Sequence, residues 1–228
     1  SNQGDFFFLC RRDPERAVST LVELCRTRLP GNMGIPADQI QVLTPTRKGP
    51  AGTVNLNRCL QEALNPKEAG KRELPWGDRL FREGDRVMQT RNDYDVVWEK
   101  EDGTVGTGIF NGDVGKIVGI DDSGEWLELD FDGRRAVYGA EQLNEVDLAF
   151  AMTVHKSQGS EYRCVVLAAM PAPPSLMVRG VLYTALTRAR ELLVVVGDDA
   201  SVRDMAANDK RQKRYSGLRW RLAKGAGE

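Results

Sequence analysis

Apolar positions follow two different rhythms along the chain. Phe6 to Cys10 is a continuous apolar run, and Asp13-Pro14-Glu15 then opens a segment with Val18, Leu21, Val22 and Cys25 at helical spacing. The pattern predicts a strand followed by a helix, which Gly31 and Pro36 break. Gln41 to Thr44 is a second buried strand. Val54, Leu56, Cys59, Leu60 and Leu64 place a helix over 53–64, ending before Asn65-Pro66. This β-α-β-α order is that of a parallel sheet.

After Trp76 the rhythm changes. Asp85 to Thr90, Gly115 to Ile120, Glu125 to Phe131 and Arg134 to Tyr138 are short runs, several alternating apolar with polar, separated by Asn111-Gly112, Asp122-Ser123-Gly124 and Asp132-Gly133. They predict a small antiparallel barrel or sheet. From Leu148 the first rhythm returns, with a strand to Val154, another at Cys164 to Ala168, a helix across Leu176 to Ala189 and a very apolar strand at Leu192 to Val196. The expected organisation is one α/β domain made of residues 1–77 and 147–228, with a β-rich insert at 78–146.

Charge changes at the same boundaries. The net charge of −1 hides an insert, Asp78 to Glu145, with 17 acidic and 8 basic residues (−9), inside a frame with 24 basic and 16 acidic (+8). A basic frame suits a polyanion such as nucleic acid, and an acidic insert does not suit nonspecific phosphate binding. With 228 residues, 41% of them hydrophobic, the chain is long enough for one large domain or two small ones. No apolar run approaches the roughly 18 residues of a membrane span, so a cytoplasmic protein is expected. Ser1 to Gly4 resembles an expression remnant more than a signal peptide. The four cysteines (Cys10, Cys25, Cys59, Cys164) have no C-x-x-C spacing, so they read as reduced thiols rather than a disulfide framework or zinc site.

Three strings carry chemistry. Ala149-Phe150-Ala151-Met152-Thr153-Val154-His155-Lys156-Ser157-Gln158-Gly159-Ser160-Glu161-Tyr162 is a buried strand followed by hydroxyl, imidazole and ammonium groups. Such a string should gather its donors at the carboxyl edge of a sheet, where α/β proteins bind ligands. A Ser157–His155 nucleophile lacks a positioned carboxylate, and a lone histidine is more often structural. Val181-Leu182-Tyr183-Thr184-Ala185-Leu186-Thr187-Arg188-Ala189-Arg190 precedes the last apolar strand. A planar, permanently charged group at Arg188 suits charge developing on a transferring phosphoryl group, an effect of about 10³ or more in rate; Arg190 reads as a surface arginine. Gln41-Val42-Leu43-Thr44-Pro45-Thr46-Arg47-Lys48-Gly49-Pro50-Ala51-Gly52, followed by Leu56-Asn57-Arg58-Cys59-Leu60-Gln61, holds Arg47 at a sheet edge, open to a phosphate or simply exposed on a turn.

Together these strings resemble the RecD-like (RecD and TraA) branch of superfamily 1B DNA helicases. The first is similar to helicase motif V, the second to motif VI and the third to the segment containing motif IV. Gly84-Asp85-Arg86-Val87-Met88-Gln89-Thr90-Arg91-Asn92-Asp93-Tyr94 and Ile109-Phe110-Asn111-Gly112-Asp113-Val114-Gly115 resemble the SH3-like 2B subdomain that lies between motifs IV and V. The likeness covers most of residues 5–200. It implies a RecA-like parallel-sheet domain (2A) interrupted by an SH3-like antiparallel β-barrel (2B), the C-terminal half of an ATP-dependent 5′–3′ DNA helicase of repair or recombination. In that family Arg188, helped by Arg47, would sense the γ-phosphate as an arginine finger. Glu161 would contact the ribose, with Gly159 in the same nucleotide-binding set, and Thr153, His155 and Lys156 would contact single-stranded DNA. ATP and Mg2+ are the implied cofactors. Their phosphate loop and acidic metal site belong to an upstream RecA-like domain, so the chain alone is expected to be inactive.

Two decoys fall away. Gly115-Lys116 has Phe110 where a phosphate loop needs glycine and Ile117 where it needs Ser or Thr. Asp198-Asp199 imitates an acidic metal pair but follows the motif VI string with no phosphate loop upstream, and no metal ligand set is expected in the chain. The tail from Lys210 to Arg221 interleaves cations with aromatics, as a nucleic-acid contact or a solvated helix does. A different class of function also stays open: a binding module whose acidic insert docks a basic protein partner.

Overall fold

The computed structural model describes residues 5–209, so Ser1 to Gly4 and the cationic tail lie outside the described residues. The chain begins with β1 (Asp5–Cys10), α1 (Pro14–Glu23), α2 (Leu29–Met33), β2 (Ile40–Thr44) and α3 (Thr53–Leu64). Asp13 starts α1 by accepting the Arg16 amide at 2.8 Å, with Pro14 in the first turn. The helix does not break at Gly31. It widens to a π turn at Leu24–Arg28, with the Leu29 N–H reaching the Leu24 carbonyl, and continues through Pro30 to Met33. Proline has no N–H to give and its ring crowds the carbonyl one turn back, and a widened turn relieves both problems. Gly34, at φ 62°, stops the helix instead.

The insert contains β3 (Glu73–Trp76), β4 (Arg79–Arg82), β5 (Arg86–Gln89), β6 (Asp93–Glu99), β7 (Val105–Ile109), β8 (Val114–Ile120), β9 (Leu127–Phe131), β10 (Arg134–Tyr138), α4 (Ala140–Leu143) and β11 (Val146–Leu148). Seven of these strands form an antiparallel sheet in the order β11-β5-β8-β9-β10-β6-β7, wrapped on a core that includes Val87, Ile109, Ile117, Leu129, Phe131 and Tyr138. The β3–β4 hairpin adds Leu74 and Phe81 to that core.

The chain then returns through β12 (Ala151–Thr153), β13 (Tyr162–Ala169), α5 (Arg179–Arg188), β14 (Ala189–Gly197) and α6 (Asp199–Ala207). Five strands form a parallel sheet in the order β1-β14-β13-β2-β12. Alternate residues serve opposite faces. Val42, Val166 and Val194 pack with Leu21, Leu56 and Leu60 of α1 and α3, while Leu43, Val165, Leu167 and Val195 pack with Ala185 of α5 and Met205 of α6. Burial on both faces explains why these strands read as unbroken apolar runs. Met88 of the insert joins the second core, while other insert residues meet α3 on the opposite face.

Buried polar groups fasten the two units. Asp85 accepts from Gln61 Nε2 at 2.6 Å, Asn65 Nδ2 at 2.8 Å and the Arg82 amide at 2.7 Å. Arg82, fully buried, donates to Glu62, Glu73 and the Asn65 carbonyl. Asn57 spans to the Leu148 and Ala151 carbonyls at 3.1 and 3.0 Å and accepts the Ala151 amide at 2.8 Å.

Candidate functional site

All five strands of the first sheet are parallel, so their ends define two opposite edges. Thr44 and Thr153 are register partners at the carboxyl edge, while Ile40, Tyr162 and Ala189 mark the amino edge. The string from Thr153 to Tyr162 does not stay at the carboxyl edge as its composition suggests. Thr153 caps a 3-10 turn at Val154–Ser157, accepting the Lys156 amide at 3.4 Å, and the chain then crosses to the amino edge before β13. A sheet of parallel strands requires this crossing, because the next strand must start where the last one started.

The string is therefore divided between two places. Thr153, His155 and Lys156 lie at or just beyond the carboxyl end of β12. His155 is exposed, Lys156 Nζ donates to Asn111 Oδ1 of the insert at 2.8 Å, and Ser157 is buried with its hydroxyl given to the Val154 carbonyl at 2.7 Å. Ser157 has no nucleophile geometry. Gly159, at φ 89°, makes a turn that favours glycine, and Glu161 follows it, exposed at the amino edge.

Arg188 is the last residue of α5, one residue before Ala189, which pairs with Tyr162. The structure thus brings Arg188 and Glu161 to the same edge. The Arg188 Nε is buried with no hydrogen-bond partner. The residue as a whole is half-buried, and an N–H left unmatched in this way is costly until an acceptor is brought to it.

Arg47 goes elsewhere. Its carbonyl receives the Val54 amide at the start of α3, beyond the carboxyl end of β2, and its exposed guanidinium lies 3.7 Å from Asp147. The structure does not bring Arg47 to Arg188.

A second cation at the amino edge was not visible in the sequence. Arg86 of β5 donates through Nη1 to the Asp38 carbonyl at 3.1 Å, and its Nε, like that of Arg188, is buried without a partner. Desolvation lowers the Arg86 pKa. Tyr162 feels both arginines: burial raises its pKa, and a hydrogen bond with Ser160 and the charges of Arg86 and Arg188 oppose that rise. Nothing in a Gly-Asp-Arg-Val string separates such a residue from an ordinary strand arginine.

The rejected strings have structural explanations. Gly115 permits close packing, since a Cβ there would come within 2.7 Å of both the Asp130 carbonyl and the Phe131 ring. Asp198 caps α6 through Ser201, and Asp199 pairs with Arg203. Among the described residues no group of three or more His, Cys, Asp or Glu could hold a metal ion, and no helix is long and apolar enough to cross a membrane.

Two family profiles match the chain. Residues 148–196 match the UvrD-like helicase C-terminal domain and residues 56–131 the ATP-dependent RecD-like DNA helicase SH3 domain. A parallel sheet carrying both the motif V and motif VI strings, with an SH3 unit between its second and third strands in chain order, is a superfamily 1 helicase C-terminal region. The chain belongs to the RecD-like DNA helicases. It is 38% identical over 183 residues to the ATP-dependent RecD2 DNA helicase of Deinococcus radiodurans, covering 80% of this chain and 23% of that protein. It is 35% identical over 191 residues to the RecBCD enzyme subunit RecD of Mycolicibacterium smegmatis, covering 81% of this chain and 29% of that one. The chain thus spans about a quarter of the length of these relatives. The crystal structure of Pif1 helicase from Bacteroides in complex with ADP-AlF3 and ssDNA is 17% identical, with a TM-score of 0.47 over 91% of this chain and 50% of that one.

Proposed function

We propose that the chain is the nucleotide-sensing and strand-gripping C-terminal half of an ATP-dependent 5′–3′ DNA helicase, in which residues 1–77 and 147–228 form domain 2A and 78–146 form domain 2B. The observation that carries this reading is the unpartnered, buried Nε of Arg188 at the edge shared with Glu161. Arg188 would answer the γ-phosphate charge as an arginine finger, Glu161 would hold the ribose, and the Gly159 turn would let the backbone approach the nucleotide. ATP supplies the transferable phosphoryl group when bound, and the phosphate loop and Mg2+ site would come from an upstream RecA-like domain. Thr153, His155 and Lys156 would grip single-stranded DNA at the other end of the same ten-residue string, which supports a short mechanical link between nucleotide state and DNA grip. Arg47 joins the nucleotide set only if domain closure carries the phosphate to it. Its exposed pair with Asp147 is worth about 0–1 kcal/mol, so that partner is readily exchanged. A named relative acts as a helicase under its own name and another as a subunit of RecBCD, so both a solitary enzyme and a complex subunit suit this segment.

Steady-state ATP hydrolysis with single-stranded DNA tests the proposal. The isolated chain should show none. In the full-length protein Arg188→Ala should abolish hydrolysis while nucleotide binding is largely kept. Unchanged hydrolysis in that variant would remove the arginine from the mechanism.

A further inference from the structure

An exposed aromatic pair stands on the insert beside the segment proposed to grip DNA. Tyr94 and Phe110 meet edge to face, ring centroids 5.6 Å apart at 70°, and they are 66% and 41% exposed. Solvated aromatic rings usually gain nothing from being held still, yet these two are held. Gly108, at φ 93°, lets the Phe110 ring lie over its backbone, where a Cβ would come within 2.8 Å of the ring. The turn after Phe110 is fixed at both ends: the Phe110 amide donates to Asp113 Oδ2 at 3.0 Å and the Asn111 amide to Asn92 Oδ1 at 3.0 Å. Tyr94 projects from an irregularity in the β6–β7 pairing between Asp93 and Val97, whose spare amides at Asp95 and Val96 are taken up by Asp93 Oδ1.

The pair is continuous with the proposed grip. Asn111, next to Phe110 in the chain, accepts Lys156 Nζ at 2.8 Å, so one hydrogen bond joins the aromatic turn to the cation that follows Thr153 and His155. The charges divide the labour. His155, Lys156 and the exposed Arg91 suit phosphates, whereas Tyr94 stands between Asp93 and Asp95 in the chain and the Phe110 amide is taken by Asp113, whose charge Arg134 already answers. A π-face beside acidic groups can take a base but not a phosphate.

We propose that Tyr94 and Phe110 form a base-stacking platform for single-stranded DNA, extending onto the insert a track whose phosphates are held by the Thr153–Lys156 segment. This rests on the DNA-gripping reading above. Stacking on an aromatic ring is indifferent to base identity and releases no counterions, so it separates cleanly from phosphate binding.

The experiment measures binding of the full-length protein to fluorescein-labelled oligothymidylate, and to the same strand with abasic sites, by anisotropy over a range of NaCl concentrations. Tyr94→Ala and Phe110→Ala should each weaken oligothymidylate binding about ten-fold, leave the salt slope unchanged, and lose the preference for the strand with bases over the abasic one. Tyr94→Trp should keep both affinity and preference. Lys156→Ala should weaken binding and flatten the salt slope by about 0.7, the share of one phosphate on a single strand. Wild-type affinity and base preference in both alanine variants, with the Lys156→Ala loss intact, would overturn the platform and leave the grip standing. Wild-type binding and salt slope in Lys156→Ala as well would overturn both.

Discussion

Asp85 should make the stability of the protein depend on pH in the direction opposite to an ordinary carboxylate. It is fully buried at the joint between α3 and the insert, and burial raises its pKa from 3.8 to about 6, against the opposing hydrogen bonds from Asn65, Gln61 and the Arg82 amide and the charge of Arg82. The shift corresponds to about 3 kcal/mol. Because the folded-state value is raised, the folded chain holds this proton more tightly than the unfolded one. The contribution is fully present below the unfolded value of 3.8 and is lost as pH rises through about 6. Of the total, about 2 kcal/mol is lost between roughly pH 4.5 and 7.5. Asp85→Asn removes the titration but places an NH2 group opposite a donor. Asn65 cannot turn to meet it cheaply, since its Oδ1 accepts Lys71 Nζ and its Nδ2 also serves the Glu83 carbonyl. That mismatch costs about 1–3 kcal/mol at every pH. Urea unfolding of both proteins across this range is the assay. The difference between them should move in favour of the variant by about 2 kcal/mol as pH rises. Parallel profiles would show that Asp85 titrates like a solvated carboxylate and that the desolvation argument is wrong.

Two further substitutions probe the sheet and its amino edge. A Cβ at Gly197 would meet the Ala169 carbonyl well inside contact distance, so Gly197→Ala must part β13 from β14. It should destabilise by about 1–3 kcal/mol in thermal or urea unfolding, and a wild-type midpoint would refute the close approach. Arg86 is a desolvated cation with a backbone carbonyl as its hydrogen-bond partner, so Arg86→Met should leave stability unchanged or raise it. A loss beyond about 2 kcal/mol would mean that a counter-charge holds the guanidinium in place.

The elements legible in the sequence are those whose burial pattern is strong. The helix expected over 53–64 is observed over Thr53–Leu64, and the apolar string at Leu192 to Val196 is the centre of β14. The strands that escaped notice are those with little to bury. In β6 only Val96 is buried, and β7 carries Val105, Gly106 and Thr107 at or near the surface, so neither shows the alternation of a half-buried strand. The β3–β4 hairpin escaped for a related reason, as only Leu74, Phe81 and Arg82 of its eight residues are buried. In the site, residue types were readable and positions were not. Motif strings name Thr153, Glu161 and Arg188, but only the parallel topology shows that Thr153 lies at one edge and Glu161 and Arg188 at the other. Arg47 follows β2 in the chain and so must lie beyond its carboxyl end, whereas Arg188 precedes β14 and so must lie at the amino edge.

The way the insert is attached bears on the proposed coupling. Gln41 reaches the Ala149 and Phe150 carbonyls, Asn57 the Leu148 and Ala151 carbonyls, Gln61 and Asn65 the Asp85 carboxylate, and the Arg86 carbonyl receives the Ala149 amide. Apolar contacts slide at little cost, whereas buried hydrogen bonds are directional and expensive to leave unmade. A joint built from so many of them holds both roots of the insert at a fixed angle to the sheet. Lys156 then meets Asn111 in a turn that β5 ties to this joint through the Gly112 amide and the Gln89 carbonyl. Any change of the Thr153–Lys156 segment must therefore either carry the Phe110 turn with it or break that single exposed bond. The exposed bond is the cheaper of the two to break, which makes it, rather than the buried joint, the place where the insert and the grip can part.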